Sequence, residues 1–408
     1  MFMTSIYGPV TDWATDFDHA DPEYNANAHE IWAELRGTCP VAHTERYNGA
    51  WLPVTHEHVT QIAYDTEHFT SRSVVVSPFH PIAQAPIGNA PPISSDPPFH
   101  HDARRLLLPA FSPKTIDPWE KDIRLLCQDL LGAMGDADVI DAAVQYAQHI
   151  PVNVIARMLG FPIEDADRFR GFVHDVLEGV NIELEQRFQA FGRLAEYIDA
   201  QIQSHIDNPR DDLTTFLLNA TIYDQPLSAD HVRGSIVLLL VAGIDTTWSA
   251  IGSSLLHLAT NAADRERLVA DPTLIPTAIE EFLRAYAPVT MARLVKQDVE
   301  IGGCPMKVDD WVLLPFPAAN VDPLAFDRAD EVIIDRLENR HAAFGLGIHR
   351  CLGSNLARLE LRIAVEEFLL HFPDFELAAS ASESESASVT WSVGQIRGPR
   401  TLPVRINR

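Results

Sequence analysis

The chain has 408 residues, 46% of them hydrophobic and 22% charged, a balance that excludes intrinsic disorder and allows a large buried core. Lys and Arg number 31 against 57 Asp and Glu, and the net charge of −26 argues against nucleic acid or an anionic membrane surface as a partner. The four cysteines, Cys39, Cys127, Cys304 and Cys351, form no C-x-x-C pair; that excludes a cysteine-rich zinc or iron–sulfur site and leaves any thiol chemistry to a single residue.

From the start of the chain, Met1 to Pro9 has neither a basic nor an apolar leader, and the longest apolar run, Ile236 to Ile244, is too short to cross a bilayer. A cytoplasmic protein without a membrane anchor is expected. Trp51 to Thr55 reads as a strand in a β-rich edge at about 45–60. Ser71 to Ser95 strings Val74, Val75, Val76, Ile82, Ile87 and Ile93 among five prolines and holds neither helical nor strand periodicity, the pattern of a long apolar loop that either has a functional role or is tucked over the core.

A helical body is expected from about 100 to 290, in Trp119 to Met134, Asp141 to Leu159, Glu185 to Ile206 and Ala229 to Ala259, and again over about 351–371. Asp211 is expected to cap a short helix through Thr214 to Leu218, and Asp271-Pro272 to separate two later helices. Val299 to Ile301 and Trp311 to Phe316 suggest a β-rich edge at about 295–316. Val389 to Val404 suggests another at about 375–406, entered through an Ala/Ser/Glu tract, Ala378 to Ser388, that reads as an exposed hairpin loop. The whole chain, 1–408, reads as one domain, mainly α with a small β portion.

Phe344-Gly345-Leu346-Gly347-Ile348-His349-Arg350-Cys351-Leu352-Gly353 is a glycine-broken loop that runs into an amphipathic helix, Ser354 to Leu370. A thiol at a helix N-terminus has its pKa lowered toward the thiolate that a soft metal needs. Taken by itself, an isolated cysteine also packs well as a small apolar residue. In Leu240-Val241-Ala242-Gly243-Ile244-Asp245-Thr246-Thr247 an acid and hydroxyls interrupt an apolar helix, and Ala242 stands one turn below Thr246 on the same face. Alone, this pattern fits equally a helix-bending threonine beside a solvated acid. Glu281 and Arg284 share a helix face, as do His100 and Arg104, spacings that are common in surface ion pairs.

Together, in this order, these segments resemble the cytochrome P-450 monooxygenases. Phe344 to Gly353 matches the F-x-x-G-x-x-x-C-x-G haem loop, Ala242 to Thr247 the A/G-G-x-D/E-T-T/S helix, and Glu281 to Arg284 the E-x-x-R element. The resemblance implies the triangular-prism fold of that family, with haem b buried between two long helices. It implies that Cys351 is the axial iron ligand, that Phe344 packs near the sulfur and that Gly353 closes the haem loop. His100, Arg104, Arg293 and His349 would meet the haem carboxylates, and Ala242 would leave room for oxygen. Asp245 and Thr246 would relay protons during oxygen activation. Glu281, Arg284 and Arg336 would form a structural triad behind the cysteine loop.

The same resemblance implies O2-dependent hydroxylation or epoxidation of a lipophilic small molecule. Val74, Val75, Ile82, Ile87, Leu238, Val241, Val289 and Val393 are expected to line an aliphatic pocket for a terpenoid, fatty acid, steroid or alkyl-aromatic compound. The sequence carries no flavin or nicotinamide fingerprint, so a ferredoxin and its reductase are expected as electron donors to a monomer. Arg105, Arg350, Arg358 and Arg362 would offer the ferredoxin a positive patch. The alternatives are a peroxide-driven haem-thiolate peroxygenase and a non-catalytic haem or gas sensor.

Overall fold

A computed structural model describes residues 7–76, 89–177, 184–378, 389–392 and 394–408. Helices form most of it, and small sheets lie beside them. The longest helix, Ala229–Thr260, is capped by Ser228, whose side chain accepts from the His231 N–H. It is apolar on nearly every face, as a helix enclosed by protein must be. By length and composition it would suffice to cross a membrane, although no nine-residue run within it would; 67% of its most apolar window is buried inside the protein. Where it passes the helix His149–Leu159, a Cβ on Gly243 would come 3.1 Å from Ile155, so the small residue permits the close crossing.

The helix Ser354–His371 packs against Ala229–Thr260 and against Glu120–Ala133. Beside this mass, a five-stranded sheet runs in the order Val41–Thr44, Ala50–Pro53, Trp311–Pro315, Thr290–Val295, Phe69–Thr70. Trp311 pairs with Ala50 in the single parallel step, and Val312 faces Arg293 in an antiparallel one.

Several local expectations are corrected. Asp141 to Leu159 is not one helix. Val139–Asp141 is a strand paired with the C-terminal strand Pro403–Ile406, followed by a π-turn at Ala143–Ala147 and the helix His149–Leu159. The Asp141 carboxylate accepts from Ala143, Val144 and Leu402 N–H groups, which ends the strand and opens the turn. Asp212, not Asp211, caps Leu213–Asn219: its Oδ1 accepts from Thr215 N at 2.8 Å while Oδ2 meets His205 Nε2 at 3.1 Å. The edge at 45–60 includes a helix, His56–Tyr64, capped by Thr55, and the tail breaks into Thr390–Trp391, Pro399–Thr401 and Pro403–Ile406. Of the Ala378 to Ser388 tract, 379–388 lie outside the described residues.

Glu281 and Arg284, on the helix Ile275–Ala285, are both 0% exposed. Arg284 donates twice to Glu281, at 2.8 and 2.9 Å, and also to the carbonyls of Asn320, Ala329 and Glu331. Arg336 Nε reaches Glu281 Oε2 at 3.0 Å, Asn339 Nδ2 the same oxygen at 3.1 Å, and Ile333 N the other at 2.8 Å. The cluster gathers the irregular chain from Asn320 to Asn339 onto one helix immediately before the cysteine loop. Removing one charge strands the others in a low-dielectric setting. Glu281→Gln is expected to lower unfolding stability by about 3–5 kcal/mol in denaturant titration.

Candidate functional site

Asn320, at the end of Phe316–Asn320, accepts from Ala342 N at 2.6 Å through its Oδ1 and so sets where the cysteine loop begins. Gly345 N donates to Ala342 O and Arg350 N to Gly347 O. Cys351 N then closes the loop on Phe344 O at 2.7 Å. Gly345 and Gly347 have φ of +69° and +67°, and a Cβ on Gly347 would lie 2.2 Å from Ala63 O. Glycine is needed at 347 for both reasons. Gly353, the N-cap of Ser354–His371, has an ordinary φ of −83°, and its N–H bonds to the Cys351 sulfur.

Cys351 lies deep in the protein, and the surface it shows is cavity wall. The expected depression of its pKa by the helix end is corrected. Burial pushes the thiol up, against the opposing pull of the Gly353 N–H and of Arg104, Arg350 and Arg358. A thiolate here therefore calls for a cation.

That cavity has a volume of about 1250 Å³. Cys351, Phe344, Gly353, Arg104, Arg293 and His349 line it, and Ala242 and Thr246 line it from the long helix. Thr246 Oγ1 donates to Ala242 O at 2.9 Å, keeping the hydroxyl against its own helix. Asp245 is not a lining residue. It is fully buried and pairs with Arg400 at 2.7 Å, on the strand Pro399–Thr401. Arg400 also donates to Ser249 Oγ and lies 4.3 Å over the Trp248 ring. The sequence reading missed Arg400, because its partner is 155 positions away and no local spacing links them.

Four nitrogen-bearing side chains converge beside the cysteine loop. The rings of His100 and His349 are 4.4 Å apart, and His349 Nε2 is 2.9 Å from Ser71 Oγ. Ser71 N in turn donates to Asp96, which also binds Thr70. Among the described residues, both ring nitrogens of buried His100 lack a hydrogen-bond partner. Arg293 is buried and donates to Ala292 O, and Arg104 donates to Arg350 O; among the described residues neither pairs with a carboxylate. Burial lowers the His100 pKa to about 4 and the Arg293 pKa to about 10, and burial together with Arg293 and His100 lowers that of His349 to about 2. Such a group, in which among the described residues no cation is paired with a carboxylate, fits a dianionic ligand such as haem with its two carboxylates. His101 and Arg105 face outward, as expected.

Of the expected substrate-pocket residues, Val74, Val75, Leu238, Val241 and Val289 line this cavity. Ile82, Ile87 and Val393 lie outside the described residues. Gln395, which donates to Val74 O, and Ile396 extend the wall and were not anticipated. The positive patch is corrected. Arg358 is held by Glu280 at 2.6 and 2.9 Å, Arg362 by Glu120 and Glu366, and Arg105 by Asp102, so most of the cations are locally neutralised.

The Glu280 to Arg358 pair serves the site differently, since Arg358 lies 4.4 Å over the Phe344 ring at the head of the cysteine loop. Burial pushes the Glu280 carboxyl up, but hydrogen bonds from His341 and Arg358 outweigh it and hold it at about 2, below its ordinary 4.5. Its stabilisation is complete above pH 4.5 and is lost as pH falls toward about 2. Glu280→Gln should flatten the decline of melting temperature across that acid window.

Comparison with known proteins places this geometry in context. The family model described as Cytochrome P-450 matches residues 169–386. Cytochrome P-450 107B1 of Saccharopolyspora erythraea is 32% identical over 398 residues, covering 94% of this chain and 96% of that protein. The mycinamicin IV hydroxylase/epoxidase of Micromonospora griseorubida is 30% identical over 381 residues, 91% of this chain and 94% of its own. The crystal structure of CYP109E1 from Bacillus megaterium in complex with testosterone superposes with a TM-score of 0.85 at 30% identity, covering 95% of this chain and 99% of that one.

Proposed function

The chain belongs to the cytochrome P-450 family, and on that premise we propose that it hydroxylates or epoxidises a lipophilic small molecule with electrons from a ferredoxin and its reductase. It is a monooxygenase, an oxidoreductase that uses haem b. The observation that carries the reading is one cavity with the Cys351 sulfur, Ala242 and Thr246 in its walls and with Arg104, Arg293 and His349 unpaired with protein carboxylates.

When bound, haem b supplies oxygen activation, using O2, two electrons and two protons to place one oxygen atom in the substrate and the other in water. Cys351 would hold the iron, its thiolate donating electron density to the metal. Arg104 and Arg293, with His100 and His349, would bind and orient the carboxylates. Ala242 keeps the helix surface low beside Thr246, and the Thr246 hydroxyl holds a proton at the cavity wall. Asp245, one residue earlier, is the carboxylate partner of Arg400 on the far side of the same helix and would accept a proton there for relay toward Thr246. The aliphatic side chains Val74, Leu238, Val241 and Val289 bind a terpenoid, fatty acid, steroid or alkyl-aromatic substrate and exclude water. The steroid held by the Bacillus megaterium relative is of this kind. A monomer in the cytoplasm completes the reading.

Dithionite-reduced protein under carbon monoxide is expected to show the strongly red-shifted Soret band of thiolate-ligated haem, and Cys351→Ala to lose it. A band indifferent to Cys351 would sink the assignment. Arg400→Ala leaves Asp245 buried without its guanidinium. It should cost about 3–5 kcal/mol of stability in denaturant and lower the fraction of electrons that appear in oxidised product.

A further inference from the structure

The cavity continues far past the cysteine. Along Ala229–Thr260 its wall is formed in turn by His231, Gly234, Leu238, Ala242 and Thr246. Steps of three or four residues keep one helix face on the cavity throughout. At the rise of an α-helix, His231 and Thr246 stand about 22 Å apart along the axis. From Gly234 to Gly243 the helix residues that line the cavity are apolar, and the wall turns polar at Arg233 and His231.

His231 is only 4% exposed, and its ring packs edge-on against Phe99 at 5.5 Å. Its backbone N–H is taken by Ser228 Oγ, and among the described residues neither ring nitrogen has a hydrogen-bond partner. Burial lowers its pKa, so the ring presents one N–H donor and one nitrogen acceptor at neutral pH. Leaving such a group unpaired is costly, and a ligand that pairs with it recovers that cost.

The surroundings fix both its position and its preference. The segment from Asn89 to Ser94 is held against the helix beside His231. Ser235 Oγ donates to Pro91 O at 3.0 Å, and a Cβ on Gly234 would fall 2.3 Å from Asn89 O. Arg233, the nearby cation on the same helix turn, is bound to Asp199 at 2.6 Å and Asp230 at 2.7 Å. Arg233 itself lines this end of the cavity, and its charge is already met by those two carboxylates, which favours an uncharged polar group over an anion beside His231.

We propose that His231 is a specificity-determining polar anchor. It receives an uncharged hydrogen-bonding group, a hydroxyl, carbonyl or amide, at one end of an elongated lipophile whose other end lies by Thr246. This rests on the monooxygenase reading and narrows its substrate class. The helix acts as a ruler: the group bound at His231 sets which distant carbon reaches the reacting end.

The test is spin-state titration of the haem-loaded protein with hexadecanol, hexadecanoic acid and hexadecane at neutral pH. In the wild type, hexadecanol should bind more tightly than the acid. His231→Phe should weaken hexadecanol about five- to ten-fold, the worth of one hydrogen bond, and leave hexadecane unchanged, while His231→Gln should restore part of the loss. Equal weakening of alcohol and alkane, an acid that binds more tightly than the alcohol, or no restoration by Gln would overturn the anchor. So would a thiolate-type carbon monoxide band in protein that shows no spin-state response to hexadecanol, an outcome that leaves the enzyme class standing. Absence of that band is the separate failure of the monooxygenase reading.

Discussion

Glu281 is a carboxylate with no access to water, and two arginines, an asparagine and a backbone N–H converge on its two oxygens. An ionised group in that setting persists only when its bonds are complete. Arg284 spends its remaining donors on the carbonyls of Asn320, Ala329 and Glu331, in chain that has little regular structure of its own. That chain leads directly into the cysteine loop. Asn320, at the end of the short helix Phe316–Asn320, accepts the Ala342 N–H through its side chain where the loop begins. The position of Cys351 thus depends on a charge cluster that never touches it.

Around the cysteine the electrostatics run the other way. Behind the loop the charges of Glu281, Arg284 and Arg336 answer one another, whereas beside the cavity Arg104, Arg293, His100 and His349 crowd together and, among the described residues, none is paired with a carboxylate. Burial and mutual repulsion both disfavour their charged forms. A bound dianion removes that repulsion, so cofactor binding and the stability of this region are linked. The same reasoning applies to the thiol, which burial biases toward its neutral form until a metal faces it.

The helix Ala229–Thr260 joins these two regimes. Its apolar surface forms both the core and the cavity wall, and its polar residues are each assigned to one side. Thr246 is turned to the cavity and bonded to Ala242 O, Asp245 is turned away to Arg400, and Ser235 holds the segment near Pro91. Adjacent residues on a helix point about 100° apart, which is how an acid and a hydroxyl next to each other serve different surroundings.

Patterns confined to a few neighbouring residues were legible from the chain alone. The glycines and cysteine of 344–353, the acid and hydroxyl at 245 and 246, and the Glu281 to Arg284 spacing each lie within one turn or one loop. Local geometry follows from local sequence there, and with it the family and the helical character. What depended on distant chain was not legible. Asp141 reads as the start of a helix until Pro403–Ile406 pairs with Val139–Asp141, and Asp211 and Asp212 are equivalent caps until His205 selects the second. The arginines 358 and 362 look like a free positive patch until Glu280, Glu120 and Glu366 arrive from other helices. Arg400 and His231 carry no motif at all. Only packing decides that one meets Asp245 and the other faces the cavity, because burial and the choice of partner are properties of the folded arrangement and not of any window of sequence.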